Sequence, residues 1–238
     1  FEQKPALSAF KMDALKALVN RVRTAYKAVR VTAPVTTRTQ HVPAFAAFKL
    51  VCIGASTGGP TAVQTVLSGL GKHFPLPILY TQHIDVGADR KMVEWFNANV
   101  PDLTVRLAEN GQEARAGNVY MAPADRHLIV DYVTPSGTPV LGLSDEPPER
   151  FLRPAVNKLF RSAAHHYGSA CLAVLMTGMG RDGAEGCKAV LDAGGHTLVE
   201  SKETCTVFGM PAAAIELNAA SEILARQDIA SRLLVLAK

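Results

Sequence analysis

The strongest constraint in this chain is a repeated pattern. From residue 47 onward, short runs that are apolar at nearly every position alternate with segments of helical periodicity. Leu50-Val51-Cys52-Ile53-Gly54-Ala55 and Cys171-Leu172-Ala173-Val174-Leu175-Met176 do not alternate polar with apolar, as a strand with one wet face would. They suit parallel strands covered on both faces. Spaced by helical stretches, they imply right-handed βαβ units and an α/β fold: a three-layer, doubly wound, mostly parallel sheet of Rossmann-like type. Between residues 118 and 145, three short stretches (118–124, 127–133 and 138–144) are joined by turns such as Pro135-Ser136-Gly137. They predict antiparallel hairpins inserted into or edging the sheet. The order then resumes as helix (153–166), strand (171–178), helix (183–194), strand (196–201), helix (211–220) and a final helix near 222–237.

A chain of 238 residues with 48% hydrophobic and 19% charged residues can bury a large core, which excludes disorder, collagen and coiled coil as whole-chain descriptions. Its four cysteines form no CxxC pair, so a reduced, cytoplasmic protein is expected. There is no apolar run near the ~20 residues of a membrane helix and no signal-peptide core, so no membrane insertion is expected. The first residue is Phe, which suggests a piece of a longer protein. Residues 1–46 carry eight Lys and Arg against two acids, a net +6, leaving −2 for the remainder. The main body therefore offers no basic face for nucleic acid. Leu15, Leu18, Val19, Val22, Tyr26 and Val29 recur at helical steps, predicting an amphipathic helix over 12–30. The aperiodic Thr/Pro stretch after it reads as a linker. The expected division is 1–46, basic helix and linker, and 47–238, the functional domain.

Ligands of an open parallel sheet bind beyond the carboxyl ends of its strands, so the residues leaving each strand carry the chemistry. Gly54-Ala55-Ser56-Thr57-Gly58 after the first strand has the G-x-S-x-G pattern of a nucleophile elbow. Gly54, Gly58 and Gly59 give the turn room, Pro60 suits the first turn of the next helix, and the Thr57 amide is a natural oxyanion donor. His83 ends the second strand, where a general base for Ser56 would stand. Asp182 follows a later strand and would orient the imidazole, though aspartate there also suits a helix N-cap. With no HExxH and no His/Cys/carboxylate cluster at ligand spacing, no metal is expected.

Two other readings use the same residues. Gly178-x-Gly180-x-x-Gly183, with Glu200 about 20 residues on, formally meets the dinucleotide fingerprint of a Rossmann module. Against it, Asp182 would set a carboxylate beside a pyrophosphate. An α/β-hydrolase triad of Ser56, Asp182 and His196 would need strands ahead of the serine that this domain lacks. A noncatalytic, receptor-binding scaffold is a third class.

Six motifs together carry a family resemblance: GASTGGP at 54–60, QH at 82–83, YMAPADRHL at 120–128, RPAVNKLFRSAA at 153–164, MTGMGRDGAEG at 176–186 and VFGMP at 207–211. In this order they resemble the catalytic domain of the bacterial chemotaxis protein-glutamate methylesterases. The resemblance implies hydrolysis of γ-glutamyl methyl esters on the cytoplasmic domains of methylated chemoreceptors, releasing methanol, with receptor glutamine deamidation as an allied activity and no cofactor. It implies Ser56 as nucleophile, His83 as base and then acid, Asp182 as the orienting carboxylate, and the Met179 amide as an oxyanion contributor beside Thr57. It further implies an upstream receiver domain phosphorylated by a histidine kinase, with Lys4-Pro5 near the receiver's end, so a chain without the receiver is expected to be constitutively active. The sequence departs from the family pattern at Ala155 and Asn157, where Ser and Asp are usual, at 200–202, and after His83.

Overall fold

The computed structural model describes residues 47–238; the helix predicted over 12–30, the linker and the boundary near 46 lie outside the described residues. The elements are β1 (Leu50–Ala55), α1 (Gly59–Leu70), β2 (Ile78–Gln82), α2 (Asp89–Asn99), β3 (Thr104–Leu107), β4 (Asn118–Met121), β5 (His127–Val133), β6 (Pro139–Ser144), α3 (Val156–Tyr167), β7 (Cys171–Leu175), α4 (Ala184–Asp192), β8 (His196–Glu200), α5 (Met210–Glu216), β9 (Glu222–Leu224) and α6 (Arg226–Leu236). Seven strands form one sheet in the order β3-β4-β2-β1-β7-β8-β9, and every neighbouring pair is parallel.

The apolar runs form strands because both of their faces are covered. On one face Val51, Ile53, Tyr80 and Val174 meet Val63 and Leu67 of α1, Phe96 of α2 and Leu233 of α6. On the other, Leu50, Cys52, Leu79 and Leu175 meet Leu159 and Phe160 of α3, Val190 of α4, Met210 of α5 and the β5–β6 hairpin. The sheet grows outward from β1 through β2, then crosses back to β7, so strand order reverses between β1 and β7. That reversal opens the crevice in which such sheets hold ligands.

Two expectations are corrected. Asn118–Met121 is not part of a hairpin: β4 pairs parallel with β2 and β3. The antiparallel pair is β5–β6 alone, a separate two-stranded sheet. The turns flanking β4 resemble hairpin turns in composition, but β4 is buried on three of its four residues, which suits an interior strand. The stretch near 222 begins with a strand, β9, and not with the final helix, which starts at Arg226. Three residues are too few to show a period.

Close approach at the sheet's carboxyl edge depends on Gly54. A Cβ there would lie 2.2 Å from Val156 Cγ1, at the first turn of α3. Gly54→Ala should therefore cost about 1–3 kcal/mol through overpacking, measured by urea denaturation.

His127 is fully buried at the start of β5. Its Nδ1 accepts the Ala155 N–H at 3.1 Å, so Nε2 carries the proton and donates to Pro147 O at 3.3 Å. The ring thereby pins the 147–155 segment over the hairpin. Burial, aided by the nearby charges of Lys158 and Arg153, lowers its pKa, although the Pro147 carbonyl and Glu146 pull the other way. A histidine with a lowered folded pKa binds fewer protons folded than unfolded. Its stabilising contribution is thus complete above about pH 6.5 and lost as pH falls toward the folded value. His127→Gln, which keeps one acceptor and one donor, should flatten the fall in urea midpoint between about pH 7 and 5.

Candidate active site

Ser56 is the first residue beyond β1. Its N–H donates to Thr177 O at 3.0 Å, and its carbonyl accepts the Gly59 N–H at 2.8 Å, which tightens the turn into α1. Gly58 takes φ 78°, and a Cβ there would also strike Thr206 Oγ1 at 2.3 Å. Pro60 occupies the first turn of α1. Across the crevice, a Cβ on Gly178 would come within 2.7 Å of Ser56 Cβ, so the loop after β7 lies directly against the serine.

His83 follows β2, and its N–H donates to Ala55 O at 3.1 Å, one residue before Ser56. Its Nε2 lies 2.7 Å from Asp182 Oδ2. With Nε2 engaged there, Nδ1 is the ring nitrogen left to serve a hydroxyl. Among the described residues Ser56 Oγ makes no hydrogen bond, as is common before a substrate tightens such a site.

Asp182 is 2% exposed, and an isolated carboxylate at that depth would be prohibitively costly. It is not isolated. Oδ2 also accepts the Val156 N–H at 2.6 Å, and Oδ1 accepts the N–H groups of Asn157 at 3.0 Å and Gly183 at 2.9 Å. Burial pushes its pKa up, but the hydrogen bond and charge of His83, joined by the two α3 amides, outweigh burial and hold it below the ordinary value. The expected capping role is present in extended form: Asp182 caps α3 and also accepts the Gly183 N–H at the entry to the helix that follows it. Ala155, at the N-cap of α3, supplies no side-chain bond. The cap of α4 comes in return from α3, where Asn157 Oδ1 accepts the Gly183 and Gly186 N–H groups at 3.0 and 2.8 Å.

Two residues whose roles were not read from sequence hold the loops together. Gln82, buried at the end of β2, donates through Nε2 to Ser56 O at 2.9 Å and His83 O at 3.1 Å. Its Oε1 accepts the Tyr80 hydroxyl at 2.6 Å. Thr177 donates through Oγ1 to Thr57 O at 2.9 Å and accepts Val207 N–H at 2.9 Å. A buried polar residue at a strand end is the sequence signal for both, but their partners are too distant in the chain to name from it.

The N–H groups of Thr57 and Met179 make no hydrogen bond among the described residues, so both are free to meet developing negative charge. Glu200 is not placed to hold a ribose. Its buried carboxylate accepts Thr177 N–H at 2.8 Å and Arg226 Nε at 2.9 Å. Asp182 meanwhile consumes the Gly183 amide that a pyrophosphate would need, so the dinucleotide reading fails on both counts. His196 stands at the opposite end of the sheet, at the start of β8, with Nε2 2.6 Å from Glu222 Oε1. It cannot join a triad with Ser56.

The chain matches the family model described as CheB methylesterase over residues 51–233. It is 47% identical over 193 residues to protein-glutamate methylesterase/protein-glutamine glutaminase 2 of Anaeromyxobacter dehalogenans (strain 2CP-C), covering 81% of this chain and 54% of that protein. The corresponding protein of Paraburkholderia xenovorans (strain LB400) is 36% identical over 237 residues, covering 94% of this chain and 64% of that protein. The chain thus spans about half to two thirds of the length of these curated relatives. Among solved structures, the Thermotoga maritima CheB methylesterase catalytic domain superposes with a TM-score of 0.76 at 38% identity, covering 79% of this chain and 98% of that one.

Proposed function

Because this chain belongs to the CheB methylesterase family, we propose that it hydrolyses γ-glutamyl methyl esters on methylated chemoreceptors through Ser56, His83 and Asp182. The observation that carries the reading is the 2.7 Å contact between His83 and a buried, ionised Asp182, reached from strands that flank the one ending at Ser56.

Ser56 Oγ attacks the ester carbonyl while His83 takes its proton, at Nδ1, since Nε2 holds Asp182. The carbonyl oxygen becomes an oxyanion that the Thr57 and Met179 amides stabilise. His83 returns the proton to the departing methoxide, giving methanol and a glutamyl ester on Ser56. Water, deprotonated by the same nitrogen, then releases glutamate and restores the serine. A side-chain amide passes through the same steps with ammonia leaving, so glutamine deamidation is the allied activity. Asp182 holds the ring's orientation and its cation throughout. On this reading the enzyme works in the cytoplasm on receptor cytoplasmic domains, and regulation by a receiver domain phosphorylated by a histidine kinase belongs to the same proposal. Among the described residues no helix is long and apolar enough to cross a membrane.

Methanol release from methylated receptor cytoplasmic fragments tests the proposal. Ser56→Ala and His83→Ala should each lower kcat on the order of 10^4-fold or more with the fold retained, and Asp182→Asn should lower it comparably. Turnover that survives Ser56→Ala would overturn the assignment.

A further inference from the structure

Beside His83 lies a cleft of about 500 Å3, lined by Ile84, Asp85, Val86, Phe151, Leu152 and Arg153 among others. Its rim sets large apolar side chains beside the charged Asp85 and Arg153. Phe151 is 99% exposed and Val86 80%, while Met179, on the loop that meets Ser56, is 74% exposed. Phe151 and Val86, large apolar side chains held in water in a cleft that His83 also lines, mark a surface that another molecule covers.

The backbone under Phe151 argues further. Glu149 N–H donates to Leu152 O at 3.0 Å, and Leu152 N–H to Glu149 O at 2.9 Å, closing a two-residue reversal. Both central residues have positive φ, 51° at Arg150 and 69° at Phe151. That conformation is ordinarily given to Asn-Gly, and it is costly for arginine and more so for phenylalanine. Ion pairs hold the turn in place. Arg150 reaches Glu185 Oε1 at 2.6 Å, Arg161 joins Glu185 to Glu149, and Glu149 Oε1 accepts Asn157 Nδ2 at 2.9 Å. The same Asn157 caps α4 beside Asp182. An exposed ring on strained backbone, clamped to the frame of the catalytic carboxylate, is hard to attribute to packing, since the ring packs on nothing.

We propose that Phe151, with Val86, is a docking lip that selects a protein substrate: it receives an apolar side chain of the segment bearing the reacting glutamyl group. This rests on the esterase reading above. The occupant is the substrate segment because His83 itself lines the cleft, so whatever fills it lies beside the ring that carries the proton. A small ester has nothing to lay on the lip.

The test compares kcat/KM for methanol release from a methylated receptor cytoplasmic fragment with kcat/KM for p-nitrophenyl acetate. In Phe151→Gly, which removes the ring and suits the positive φ, the quotient of the two should fall at least tenfold, mostly through KM for the fragment. Phe151→Leu should recover most of it. General damage to the fold would lower both reactions and leave the quotient in place. An unchanged quotient, or a fall that leucine does not recover, would overturn the lip while leaving the esterase standing. A parent chain that hydrolyses neither compound would instead overturn the esterase reading, and the lip with it.

Discussion

One buried negative charge organises the carboxyl edge of the sheet. Asp182 sits where ionisation is expensive, and four donors make it tolerable: the His83 ring and the N–H groups of Val156, Asn157 and Gly183. Hydrogen bonds to a charged group contribute about 1.5–3 kcal/mol each, enough together to offset the loss of water. The four donors come from three different pieces of the fold. The ring comes from the exit of β2, two amides from the start of α3, and one from the entry to α4. Satisfying the charge therefore places all three.

The Ser56 loop is brought to this assembly by uncharged bonds. Gln82 reads two carbonyls, Ser56 and His83, with one amide group, and Thr177 ties the serine turn to the loop after β7. Glu200 anchors that loop from behind through Thr177 and is itself neutralised by Arg226. Ser56, His83 and Asp182 thus follow three strands that are adjacent in the sheet. A strand reversal between β1 and β7 is what leaves the space among them open.

The parallel sheet was legible in the sequence because central strands are buried on both faces and so lose the period of two. That Ser56, His83 and Asp182 lie at one edge of the sheet was legible because each follows a strand at its carboxyl end, where the topology gathers side chains. The pattern misled where it was short or composed like something else. β9 has only three residues, and β4 is framed by turns of hairpin composition. Nothing local could show that Asn157 caps α4 while Asp182 caps α3, since those partners are about 25 residues apart and meet only when both helices are packed. The family resemblance marked Ala155 and Asn157 as departures. In the structure Ala155 leaves the α3 cap to Asp182, and the Asn157 amide serves as acceptor to α4 and donor to Glu149 at once.

The exchange of caps between α3 and α4 bears on how such a protein can decay over evolutionary time. A lineage that abandons the chemistry but keeps the fold is free to lose Ser56, whose side chain makes no hydrogen bond among the described residues. It is not free to lose Asp182 without unfastening two helices. Catalytically silent descendants of this architecture should therefore be found with the aspartate intact and the serine replaced, so a retained aspartate alone is poor testimony to activity.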